Sequence, residues 1–157
     1  MTGTKHDAGK PRFDLVPAEL YQGSAVDLPD ILWAEQRVLS FARRNLDMEG
    51  GLAIALGNVT TCAIGGSVKY RAAEGLVAAV LTFGAEKYGA RDWEGGIGWS
   101  RIANGVIRHI RAHRGGDILD DETRLPHLAH AMCGLCFLLR YTGDFEKYGK
   151  YDDRPEV

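Results

Sequence analysis

SRIANGVIRHIRAHRGG, residues 100–116, and PHLAHAMCGLCFLLRY, residues 126–141, decide the fold. In the first stretch Ile102, Ala103, Val106, Ile107 and Ile110 fall on one stripe at helical spacing. This predicts a helix from Ser100, as N-cap, to about Arg114, stopped by Gly115-Gly116. The second begins at Pro126, suited to a first helical turn, and runs to about Tyr141. Its Leu128, Ala131, Met132, Leu135, Cys136, Phe137, Leu138 and Leu139 leave almost no polar face, so this helix is expected at the centre of a bundle.

Working outward, Leu76, Val77, Val80, Leu81 and Phe83 predict a helix over about 72–87, ended by Gly89 in the left-handed region. Ile31, Leu32, Val38, Leu39, Phe41 and Ala42 suggest another over about 30–45, capped by Asp27 or Asp30. Residues 50–70 carry Gly50, Gly51, Gly57, Gly65 and Gly66 around short apolar stretches, and read equally as a broken helix or a loose excursion. Gly3, Gly9, Pro11, Pro17 and Gly23 make residues 1–27 an extended arm, and the polar tail from Asp144 is expected to be peripheral. Strand-type alternation is nowhere sustained. The economical architecture is an all-α bundle of about four to five helices with an extended N-terminal arm. One domain over 1–157 is expected, divided into the arm, a helical insertion over 28–70, core helices over 71–141 and a tail over 142–157.

The chain has 157 residues, of which 45% are hydrophobic, a net charge of −2 and a pI near 6.2. That charge gives no global field for nucleic acid or an anionic membrane. No apolar run approaches a membrane span, and Met1 to Lys10 is polar, which points to a cytoplasmic protein. Cys62, Cys133 and Cys136 are expected to be reduced, with Cys133 and Cys136 packing inside an apolar helix.

The chemistry concentrates between residues 109 and 130. His109, His113, His127 and His130 bracket a loop bearing Asp117, Asp120, Asp121 and Glu122. Imidazole with carboxylate is the ligand set of a divalent metal. For any one of these histidines, a core ring satisfied by a neighbouring carboxylate is the plain alternative. Clustered ionisable groups beside an apolar helix are costly, however, unless they serve a site. His109, Asp117, Asp120, Glu122, His127 and His130 are the candidate metal ligands. Mg²⁺ or Mn²⁺ is expected, in two or three copies, if phosphate oxygens complete the shell, and Zn²⁺ instead if histidines dominate it. Glu74 or Glu86, about 120° apart on the 72–87 helix, could supply an acidic wall opposite, and Glu86 joins Asp117, Asp120 and Glu122 as a candidate catalytic carboxylate. Lys10 and Arg12 on the arm, with Lys87, Arg91 and Arg101, are candidate phosphate contacts. Tyr88, Trp93 or Trp99 could stack on a base.

The stretches KHDAGKPRFDLVP (5–17), LTFGAEKYGARDW (81–93), Trp99 to Arg101, Arg108-His109 and DDETRLPHLAH (120–130) together resemble the dATP/dGTP diphosphohydrolase domain of bacteriophage proteins. That family is a distant relative of the MazG-like all-α nucleotide pyrophosphohydrolases. The resemblance implies metal-dependent cleavage of a purine deoxynucleoside triphosphate to monophosphate and pyrophosphate, serving nucleotide-pool or modified-base metabolism in the cytoplasm of an infected bacterial host. A homo-oligomer, dimer or tetramer, is implied by analogy. Two rivals stand beside it: a His-Asp type triphosphohydrolase releasing tripolyphosphate, and a non-catalytic nucleotide-binding or assembly module.

Overall fold

Buried on every side, residues 127–143 form the element around which the others wrap. In the computed structural model, which describes residues 10–22, 30–44, 48–64 and 70–156, the helices are α1 (Ile31–Ala42), α2 (Met48–Ile64), α3 (Tyr70–Tyr88), α4 (Trp99–Arg114), α5 (His127–Gly143) and α6 (Phe145–Tyr148). Helix α5 buries eleven of its residues, among them Leu128, Met132, Leu135 and Leu138. Helices α4 and α2 pack most extensively against it, α1 lies across α2 and α4, and α3 covers a further flank. The buried side chains form one contiguous cluster. Among the described residues the only β-type pairing is a single bridge between Leu119 and Pro126, so the all-α expectation holds. No described helix is long and apolar enough to cross a membrane.

Local chemistry explains most helix ends. Asp30 caps α1, its carboxylate accepting from the Leu32 and Trp33 amides at 2.8 and 3.4 Å. The alternative cap, Asp27, lies outside the described residues, as do residues 1–9 of the arm. Gly89 leaves α3 with φ +102°, and Gly116 takes φ +92° after α4, both in the region glycine tolerates best. Two ends differ from expectation. Helix α4 starts at Trp99 behind Gly98, and Ser100 sits inside its first turn. The Ser100 amide donates to Asp153 Oδ1 at 2.8 Å, so a carboxylate from the far end of the chain does the capping. Pro126 is the N-cap of α5, held extended at φ −55°, ψ 135° by its bridge to Leu119. Of the stretch 50–70, which reads from sequence equally as a broken helix or a loose excursion, the residues up to Ile64 belong to the single helix α2, and 65–69 lie outside the described residues.

The tail is not peripheral. Tyr148 and Arg154 are 2% and 4% exposed. The Arg154 guanidinium lies 4.3 Å from the Phe41 ring and 4.8 Å from that of Trp99, and pairs with both carboxylate oxygens of Asp152 at 2.7 Å. Neutralised by Asp152 and faced by two aromatic rings, the charge can be buried. At the other end of α4, Arg111 and Arg114 both reach the buried Glu35 of α1, Arg111 at 2.8 Å.

Candidate active site

Gly134 lets α4 and α5 approach closely: a Cβ there would stand 2.4 Å from Val106 Cγ2. One turn away His109 of α4 and His130 of α5 stack, with centroids 4.6 Å apart and planes at 12°, and His109 Nδ1 lies 2.9 Å from His127 Nδ1. Burial, reinforced by the neighbouring rings of His130 and His127, pushes the His109 pKa down to about 4. Burial also lowers His130, against the opposing pull of Asp120, and lowers His113. Neutral imidazole is the metal-binding form.

The loop from Gly115 to Pro126 folds back over this cluster. The Asp120 amide donates to Leu125 O and the His127 amide to Ile118 O, both at 2.9 Å. Asp120 Oδ1 accepts from the Thr123 amide at 2.9 Å and from its hydroxyl at 3.0 Å. With its proton committed to Asp120, Thr123 Oγ1 is left as an acceptor for His130 Nε2 at 2.8 Å, which places the proton of that ring on Nε2. Burial would raise the Asp120 pKa, but the two Thr123 hydrogen bonds outweigh it and hold the carboxyl below its ordinary value.

His109, Asp120 and His127 each offer a ligand atom, all within 4.8 Å of one another. His127 Nε2 is buried without a hydrogen-bond partner, and Asp117 Oδ2 lies 3.4 Å from it. These features fit a cation. Two imidazoles with one carboxylate suit Mn²⁺ or Zn²⁺ better than Mg²⁺, which prefers oxygen.

Beside the cluster a cleft of about 310 Å³ opens between α3, α4 and α5. Its walls include Val80, Leu81, Ile102, Val106 and Phe137, with Trp93 stacked on Phe137 at 4.3 Å and 11°. Arg91, Arg101 and Arg108 line it, together with His109 and His130. An apolar slot with convergent cations and a metal-competent end can accept an aromatic ring carrying a polyanionic tail.

The structure therefore gathers His109, Asp117, Asp120, His127 and His130, and sets Arg91, Trp93 and Arg101 on the cleft. Glu122 lies outside the triad, exposed and paired with Lys87. Arg91 Nη2 also donates to Asp14 O at 3.0 Å. Arg12 docks the arm on α3 through its amide, which donates to Thr82 Oγ1 at 2.8 Å, while its guanidinium pairs with Asp14. Lys10 and Glu86 are exposed and do not line the cleft. Trp99 is fully buried beneath Arg154, so it cannot stack on a base, whereas Tyr88 is exposed at the cleft. Three residues carry no site role in the sequence reading. Arg108 and Asp92 line the cleft, and Thr123 couples Asp120 to His130. The spacing of Asp120 and Thr123, a side-chain acceptor three residues before an amide, was the one readable signal.

Comparison with known proteins places these residues in a context. Residues 67–154 match the family model described as dATP/dGTP diphosphohydrolase, N-terminal. A protein of Salmonella phage PMBT28 named dATP/dGTP diphosphohydrolase is 42% identical over 62 residues, covering 40% of this chain and 21% of that protein. The matched region is thus about a fifth of the length of that relative. No solved structure matches the chain.

Proposed function

This chain belongs to the dATP/dGTP diphosphohydrolase N-terminal family, and from that premise we propose that it hydrolyses a purine deoxynucleoside triphosphate to the monophosphate and pyrophosphate. The observation that carries the reading is the clustering of His109, Asp120 and His127 beside a cleft that His109 lines together with three arginines. His109, Asp120 and His127 would hold a divalent cation, Mn²⁺ in preference to Mg²⁺, with Asp117 beside them. They account for one of the two or three ions expected from sequence. When bound, such a cation would neutralise phosphate oxygens and acidify a water molecule.

The remaining work falls to the chain's own groups. Arg108 neutralises the phosphates, and Arg101 and Arg91, the latter tethered to Asp14 O, add positive charge along the cleft. Thr123 fixes Asp120 and the His130 tautomer, so the cluster is pre-organised before substrate arrives. Trp93 and Phe137 offer an aromatic wall to the base. Water attacks the α-phosphorus, the bond to the bridging oxygen of the β-phosphate breaks, and the carboxylate of Asp117 takes the water's proton. Lys87, paired with Glu122 between α3 and the loop that precedes α5, would add a further positive charge once that pair opens.

The test is product analysis: each deoxynucleoside triphosphate is incubated with the protein and Mn²⁺, and the products are separated. Monophosphate and pyrophosphate in equal amounts are expected. Tripolyphosphate, or inorganic phosphate without pyrophosphate, would overturn the proposal.

A further inference from the structure

One residue of the cleft is not explained by phosphate binding. Asp92 lines it, exposed, and no ion pair joins its carboxylate among the described residues. A bare carboxylate beside a triphosphate is repulsive, so it is useful only against a part of the substrate that donates hydrogen bonds. Its surroundings suit such a part. Asp92 adjoins Trp93, which stacks on Phe137, with Leu81 and Ile97 also on the cleft. This aromatic end is remote from the histidines: His109 lies about 12 Å along α4 from Arg101, at roughly 1.5 Å per residue, and Phe137 is two turns along α5 from His130. A nucleotide with its phosphates at the histidines would thus present its base to the turn carrying Asp92.

That turn is held firmly. Tyr141, Tyr148 and Tyr151 donate their hydroxyls to the three successive carbonyls of Trp93, Glu94 and Gly95, the last two at 3.1 and 2.8 Å. The Asp92 amide itself donates to Gly89 O at 3.3 Å. A hydrogen-bonding group on a rigid edge discriminates better than one on a mobile loop.

We propose, resting on the function given above, that Asp92 selects the base: its carboxylate accepts from the N1–H and 2-amino group of guanine, and so favours dGTP over dATP. A carboxylate only accepts, and guanine presents two adjacent donors on that edge. Adenine offers one donor and turns its N1 lone pair towards the carboxylate, which leaves a charged acceptor unsatisfied. An asparagine at the same place, with one donor and one acceptor, complements adenine instead.

The experiment measures kcat/KM for dGTP and dATP, and the equilibrium binding of both nucleotides, with wild type, Asp92→Asn and Asp92→Ala. Wild type is expected to favour dGTP about tenfold or more. Asp92→Asn should lower that ratio at least tenfold with a gain for dATP, and Asp92→Ala should abolish the preference without that gain. Equal treatment of the two nucleotides by wild type, or a dGTP preference retained by both variants, overturns the inference. Absence of turnover to monophosphate and pyrophosphate would instead overturn the function, and the binding ratio would still decide the role of Asp92.

Discussion

The Nδ1 atoms of His109 and His127 lie 2.9 Å apart across 18 residues of sequence. Unless one ring donates to the other, two lone pairs at that distance repel, so the arrangement calls for a shared proton or a shared cation. If a cation is what these rings share, His109→Ala leaves one imidazole and one carboxylate. Affinity for Mn²⁺, measured by calorimetry on metal-free protein, should then fall about 10- to 100-fold or more, and turnover should fall with it. Unchanged affinity would return these rings to a packing role.

Gly134 should prove as important as the ligands it does not touch. A methyl group at this position must displace Val106, and with it the turn that carries His109. Gly134→Ala is expected to cost about 1–3 kcal/mol of stability and to weaken Mn²⁺ binding. Removing the obstructing methyls in Gly134→Ala/Val106→Ala should restore Mn²⁺ affinity even though the small cavity lowers stability further. If the double variant recovers neither affinity nor turnover, the helix spacing is not what matters at Gly134.

How far such relationships can be read from sequence depends on how local they are. Helices α4 and α5 were legible because each has a definite pattern, one a single apolar stripe and the other apolar all round. Helix α2 was not, since it is covered by both α1 and α5 and carries Gly50, Gly51 and Gly57, so periodicity vanishes and glycine suggests a break. The histidines and Asp120 could be grouped because helical spacing and one short loop bring them together. Arg154 could not be placed, because its burial depends on Phe41, 113 residues away. Glu86 follows from phase: Leu81, Ala85 and Tyr88 turn towards the cleft and leave Glu86 facing water.

The tyrosine contacts to the 92–95 turn predict a split between binding and chemistry. Tyr148→Phe/Tyr151→Phe keeps both rings and removes two hydroxyl donors, at about 1 kcal/mol each. The loosened turn should raise KM for the preferred nucleotide several-fold while kcat and Mn²⁺ affinity stay within about twofold of wild type. A fall in melting temperature with KM unchanged would show that the hydroxyls serve stability alone.

Glu35 sets the acid limit of the bundle. Its carboxyl is 3% exposed, and burial alone would raise its pKa, but hydrogen bonds from Arg111 and Arg114 outweigh that and hold it below the ordinary 4.5. A depressed carboxylate stabilises the fold fully above its unfolded value and loses that contribution as pH falls through the lower folded value. Glu35→Gln should therefore be less stable than wild type at pH 7. The difference is expected to be about 2 kcal/mol, below the usual range for a broken buried pair because Arg111 and Arg114 can turn to water. Urea unfolding across pH should show that gap constant from pH 7 down to about 4.5, the ordinary glutamate value, and narrowing only below it. A gap that closes between pH 7 and 5 would place the controlling titration elsewhere, with the histidines of the cluster the first groups to examine.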